Sequence, residues 1–344
     1  MPKSRPRLIV FLHLAVILVC TCSGFALPQD TSLPTFEERD RGIALYQQSQ
    51  FVEAAKLLQK AVKKNRTDEQ GWYFLGLALL QQPKGAKNAS KALEMAVKLQ
   101  PNFALAQAAL GYSLLRRNKS AEAVREANAA LSINPDIVDA HYVLGVVGLR
   151  AGKKQVALQE AETIIRINPK VAVAYLLKSQ ALTSFFGDAL ISNRSESVEI
   201  RQARYVDAAD ALEKFLQLAP NTRDKQTWNE QLESLRFHTA SYRKSAGIEV
   251  FSGRDVTTKA RVLKKPEPQY TEEARSNGVN GTVVLRAVFA ADGTVKHFLV
   301  ISGLPDGLTE EAIRAARKIK FTPAAIDGRP VSMFIQLEYN FNLY

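Results

Sequence analysis

The 344-residue chain is poor in the residues that most often carry chemistry. It has two cysteines, Cys20 and Cys22, both within its first 26 residues, and a chain beginning at Leu27 would hold no thiol, disulfide or thiolate metal site. It has four histidines, His13, His141, His238 and His297, too far apart in sequence for any metal-ligand spacing such as H-E-x-x-H. No Gly-rich phosphate loop and no Gly-x-Ser-x-Gly elbow occurs. Carboxylate pairs such as Glu310-Glu311 suit the first turn of a helix better than acid/base work. The expectation is a protein that is not an enzyme and that uses no cofactor and no metal.

What is present is ordinary globular material, 46% apolar and 23% charged. The net charge of +12 is spread among acids rather than blocked, which describes a solvated surface. A basic chain invites a nucleic-acid reading, but the first residues argue against it. Lys3, Arg5 and Arg7 precede an apolar run from Leu8 to Val19, and Gly24 and Ala26 occupy the small-residue positions read by a signal peptidase. Residues 1–26 are therefore expected to be a leader cleaved after Ala26, leaving a charge of +9 in the periplasm. The alternative is an uncleaved inner-membrane anchor facing the periplasm, because Leu8 to Leu27 carries no charge over 20 residues.

Internal repetition dominates the next two hundred residues. Pro101, Pro135 and Pro169 recur at steps of 34, each closing a helix-like stretch: Leu99-Gln100-Pro101, Ile133-Asn134-Pro135, Ile167-Asn168-Pro169. Gly76, Gly111 and Gly145 recur in phase, each after Leu, and Ala-rich stretches lie between Gly and Pro. The chain here resembles the tetratricopeptide repeat, a 34-residue antiparallel helix pair. Residues 36–242 are expected to form an α-helical solenoid of about five repeats. The first starts near Phe36. The fifth pairs helices near Val171–Ser184 and Arg204–Leu218 around a 17-residue insertion at Phe186–Gln202, and a capping helix lies within Asn221–Tyr242. The resemblance implies a concave peptide-binding groove, with Tyr73, Tyr112, Arg116, Tyr142 and Arg150 projected onto it. The alternative for each of these side chains is packing or simple solvation.

After a linker at 243–260 the periodicity changes to that of strands. Thr282–Phe289 is β-rich, Ala291-Asp292-Gly293-Thr294 reads as a hairpin turn, and Val295–Ile301 returns. Thr309–Lys320 reads as an amphipathic helix, and Val331–Phe341 alternates apolar and polar residues. Pro268-Gln269-Tyr270, Asn280-Gly281-Thr282-Val283, Asp292-Gly293, Phe321-Thr322-Pro323 and Asp327-Gly328-Arg329-Pro330-Val331 follow in the order found in the TonB C-terminal domain. Residues 261–344 resemble that domain, which implies a small α+β fold with a three-stranded antiparallel sheet. It also implies that the last strand is an edge that accepts a peptide from an outer-membrane TonB-dependent transporter. Ser332, Phe334, Gln336, Glu338 and Asn340 would then lie beside the peptide, with Gln269 and Tyr270 at its end. The alternative occupant of that edge is a second copy of the chain or its own tail.

Three features depart from TonB itself. The repeats replace a Pro-rich spacer, Ile9 rather than Ser precedes His13 by four, and Ile319 stands where Trp is frequent. Coupling to the inner-membrane ExbB–ExbD motor is expected only if the N-terminal segment is retained. The expected function is that of an envelope adaptor, holding a transporter peptide on its sheet and a second protein or peptide on its repeats. The alternative is a structural or assembly scaffold of the envelope with no transporter coupling.

Overall fold

A computed structural model describes residues 36–185, 197–222 and 225–343. The leader of residues 1–26 and residues 186–196 of the expected insertion lie outside these. Two compact units are present. One comprises residues up to Leu114 with Arg125–Ile137, the other Leu115–Val124 with Val138 onward.

Helices α1 (Glu37–Gln47), α2 (Phe51–Lys64), α3 (Glu69–Leu80), α4 (Ala86–Leu99), α5 (Ala104–Arg116), α6 (Ser120–Ile133), α7 (Val138–Arg150), α8 (Lys154–Ile167) and α9 (Ala172–Ser184) follow one another as the repeat pattern requires. In the first unit the phase-locked small residues are what let paired helices touch. A Cβ added to Gly42 in α1 would sit 2.7 Å from Leu58 Cγ of α2, and one on Gly76 in α3 would sit 2.5 Å from Leu93 Cγ of α4. Ala54, Ala89 and Ala130 are fully buried there, as Ala123 is in the second unit. Between repeats the chain turns on an Asn side chain, whose Oδ1 accepts the N–H two residues on: Asn65 from Thr67 and Asn134 from Asp136. In the second unit Asn168 does the same for Lys170.

Helix α10 (Val198–Leu218) starts earlier than the expected Arg204, because Ser197 supplies an N-cap that accepts from Ile200 N–H. The expected capping helix is two helices, α11 (Lys225–His238) and α12 (Ala240–Ser245), separated by Thr239, which caps the second.

The C-terminal region holds β1 (Arg261–Lys264), α13 (Glu272–Ser276), β2 (Gly281–Phe289), β3 (Val295–Ser302), α14 (Leu308–Ala316), β4 (Lys320–Thr322), β5 (Ala324–Ile326), β6 (Arg329–Val331) and β7 (Met333–Phe341). The three-stranded antiparallel sheet has the order β3-β2-β7. Its β2–β3 turn places Gly293 at φ +79°, with Ala290 N–H donating to Thr294 C=O. Two short ribbons, β1–β4 and β5–β6, accompany it. The expected helix from Thr309 to Lys320 ends at Ala316, because Lys320–Thr322 pairs with β1. The expected single strand Val331–Phe341 is divided at Ser332: β6 pairs with β5 and β7 pairs with β2.

The compact units do not divide at the linker expected at 243–260. The sheet is covered on both faces. Val283, Leu285, Leu337, Tyr339 and Phe341 pack with Leu308, Ala312 and Ala316 of α14. On the other face Leu299 and Ile301 join Leu182, Tyr205, Leu212, Leu232 and Leu235 of α9, α10 and α11. The physical reason is the open apolar face at the end of a helical stack, which the sheet covers together with α11. The segment before β1 is anchored as well. Phe251 bridges to Met333, and Thr258 exchanges two backbone hydrogen bonds with Ala325.

Candidate functional site: the β7 edge

Among the strands of the described residues β7 pairs with β2, from Gly281↔Phe341 to Phe289↔Met333, and Phe251 adds an isolated bridge at Met333. Successive residues of an antiparallel strand turn their N–H and C=O alternately toward and away from the partner. Phe334 N–H donates to Phe251 C=O at 3.0 Å, and Glu338 C=O accepts from Lys265 Nζ at 2.6 Å. Both are outward bonds, so the even-numbered set Phe334, Gln336, Glu338 and Asn340 presents its backbone on the free side. Phe251 fills the start of that edge, since its own N–H also donates to Ser332 C=O. Lys265 covers one carbonyl further on and lies over the Tyr339 ring. Between them the backbone of Gln336 and the N–H of Glu338 meet no strand among the described residues.

The opposite edge of the sheet is closed differently. Gln231 of α11 is buried, and its side-chain amide donates to Phe298 C=O and accepts from Val300 N–H, each at 2.9 Å. One primary amide thus does for β3 what a peptide unit of a neighbouring strand would do. Beside it Phe237 stacks on His297 at 3.5 Å. His297 adopts φ +51° where the β2–β3 register shifts between Arg286 and Val288. Among the described residues no strand pairs with the outer side of β7 between the positions met by Phe251 and Lys265.

The residues singled out from the sequence fall as follows. Ser332 precedes the strand; its carbonyl is taken by Phe251 and its Oγ accepts from Ala291 N–H. Phe334 is half-buried under Arg243 and Arg286, at 5.3 and 4.9 Å, and near His238 at 5.3 Å. It therefore faces the solenoid helices rather than open solvent, a consequence of the two-sided burial of the sheet. Gln336 donates to Glu338 Oε1 at 2.9 Å, and Asn340 accepts from Thr282 Oγ1 at 2.8 Å across the β2–β7 pair. Tyr270 packs edge-on against Phe341 at 5.8 Å and donates its hydroxyl to Val279 C=O, so it borders the end of β7, and Gln269 beside it is exposed. Tyr339 is buried with its hydroxyl unpartnered, and burial pushes its phenol up to about 12. Sequence reasoning missed Gln231, Phe251 and Lys265. The run Ile248–Phe251 carries a weak strand signal, but nothing local marks Gln231 or Lys265.

The five positions projected onto a repeat groove are not uniformly displayed. Tyr73 and Tyr112 are buried, Tyr73 against Phe74 and Phe103 at 5.2 and 4.9 Å. Arg116 and Tyr142 are half-buried. Burial raises the Tyr142 phenol and Arg150 opposes the shift. Arg150 is exposed and donates to Leu115 C=O at 3.2 Å.

Residues 266–343 match the family model described as Gram-negative bacterial TonB protein C-terminal, and residues 39–102 and 108–172 match the tetratricopeptide repeat. Protein TonB of Vibrio cholerae serotype O1 is 33% identical over 85 residues, which is 24% of this chain and 35% of that protein. The chain thus spans about a third of the length of that relative. Among solved structures, MamA is 22% identical with a TM-score of 0.41, over 56% of this chain and 94% of its own. A thermophilic tetratricopeptide-repeat protein of Thermus thermophilus is 17% identical with a TM-score of 0.45, over 58% and 98%. PilW, a widely conserved type IV pilus biogenesis factor, is 14% identical with a TM-score of 0.47, over 61% and 88%. The chain joins tetratricopeptide repeats, a protein-interaction module, to a C-terminal domain of the kind found in Gram-negative bacterial TonB proteins.

Proposed function

We propose that this chain is an adaptor of the bacterial periplasm that works by binding rather than catalysis. Its β7 edge takes a peptide strand from an outer-membrane transporter, and its repeats hold a second protein. The observation that carries the reading is the asymmetry of the sheet: Gln231 caps Phe298 C=O and Val300 N–H on the β3 edge, while the outward backbone of Gln336 and Glu338 meets no strand among the described residues. An added strand gains affinity from main-chain bonds and selectivity from alternate side chains. Lys265 would leave Glu338 C=O as the strand arrives, and Phe251 marks where the added strand must stop. The match of residues 266–343 to the TonB domain supports a transporter peptide as the occupant.

Disulfide trapping tests this. With Cys20 and Cys22 replaced by Ser, Gln336→Cys supplies a single thiol. It should crosslink to a cysteine placed in the N-terminal segment of a TonB-dependent transporter. With Glu338→Cys as the reporter instead, Gln336→Pro should abolish the link, because proline removes the N–H that pairs. Crosslinking only to a second copy of this chain would make the edge a dimer interface and remove the transporter.

A further inference from the structure

On the face of the sheet that meets the solenoid helices, two arginines share one aromatic ring. Arg286 of β2 stands opposite Gln336 of β7, so the two side chains lie on the same face. Its guanidinium lies over Phe334 at 4.9 Å and donates to the Tyr205 hydroxyl at 3.1 Å. Arg243 of α12 lies over the same ring at 5.3 Å and donates to Phe237 C=O at 2.9 Å. Both are half-buried, and each keeps most of its N–H donors for another partner.

Neither has a carboxylate partner among the described residues. The groups around them, Tyr205, His238 and His297, bring no negative charge. Desolvation lowers the proton affinity of Arg243, Tyr205 opposes that shift, and the neighbouring charge of Arg286 adds to it. Like charges held in a half-buried place without a counter-ion are costly, and a carboxylate delivered there would relieve the cost. The nearest acid on this face of β7, Glu338, is engaged with Gln336 instead.

This cluster borders the open stretch of the edge. In a strand added beside β7, a side chain on the solenoid-facing side lies about 5 Å from its neighbour on the same face. Opposite Gln336, just past Phe251, it comes nearest the arginines, and opposite Glu338 it meets a carboxylate. We propose that the β7 edge selects a strand bearing an acidic residue on the solenoid-facing side, at the Gln336 end, where Arg243 and Arg286 bind its carboxylate. The inference rests on the strand-addition reading above. It adds a specificity that includes direction, since the acid must lie away from Glu338.

The test uses the full chain and blocked nine-residue peptides of alternating Val and Thr, with one Glu moved along the sequence and a Gln twin for each. Affinity is read by fluorescence anisotropy, and occupancy of the edge by hydrogen exchange over residues 333–341. One register of Glu peptide should bind about tenfold more tightly than its Gln twin, a preference that weakens with salt. Arg243→Gln should erase most of that preference while the neutral peptides bind as before, and Arg243→Lys should restore part of it. Arg243 lies on a short surface helix, and an unchanged circular dichroism spectrum confirms that its variants fold. If all peptides protect β7 equally, the carboxylate site is wrong and strand addition stands. A Glu preference that survives both Arg243→Gln and Arg286→Gln also overturns the site. Failure of every peptide to protect β7 overturns strand addition and the selectivity with it.

Discussion

Lowering the pH from 7 to 5 should weaken the unit that contains the sheet, through His238. This residue ends α11 and is 2% exposed, stacked on Tyr205 at 5.6 Å and close to Phe237 and Phe334. Its Nδ1 lies 2.7 Å from Ser234 C=O, and its Nε2 is buried without a partner. Burial pushes its pKa down to about 3. Arg286, Arg243 and His297 act in the same direction, and the bond to Ser234 opposes them. The unfolded chain takes up a proton near 6.5, whereas the folded chain does so only near 3. The stabilisation is therefore present above 6.5 and is lost progressively as pH falls toward 3. Between pH 7 and 5 linkage gives a loss of about 2 kcal/mol from this group. Urea unfolding at the two pH values measures it. Trp72→Phe leaves Trp228, which packs against Phe215 in the same unit, as the only tryptophan. His238→Phe keeps an aromatic ring and removes the titration. His297, also lowered by burial, and the carboxylates titrate in both proteins and cancel in the comparison. An equal acid-induced loss with and without His238 would refute the assignment.

Two further expectations follow from the packing. Gln231→Leu leaves Phe298 C=O and Val300 N–H without partners, which should cost about 1–3 kcal/mol and speed exchange of the Val300 amide; slow exchange retained at Val300 would show that the amide is not the cap. Gly76→Ala places a Cβ 2.5 Å from Leu93 Cγ and should lower stability by about 1–3 kcal/mol. An unchanged melting temperature would mean that α3 and α4 do not approach as closely as the repeat pattern demands.

The helical repeats and the main strands were legible because their signals are local. Gly76, Ala89 and Pro101 mark a helix pair by spacing alone, and Asp292-Gly293 between β-rich runs marks a hairpin. The alternation of Met333 to Phe341 also assigned one face of β7 to a core. What escaped was short or distant. Strands β1, β4, β5 and β6 have three or four residues each, too few for a period to show. The division at Ser332 is invisible because β6 and β7 continue the same alternation while pairing with different strands.

The amino-acid sequence by itself determined the repeat fold, the TonB-type domain and the place of its final strand, since these depend on spacing within tens of residues. Tertiary structure decided which edge of the sheet is closed, what fills its second face and which charges gather beside the open strand. Those outcomes join Gln231 to Val300, Phe251 to Phe334 and Arg243 to Arg286 across residues far apart in the chain. A side-chain amide that closes a strand edge and a guanidinium left without a carboxylate are properties of neighbours in space, and no periodicity encodes them.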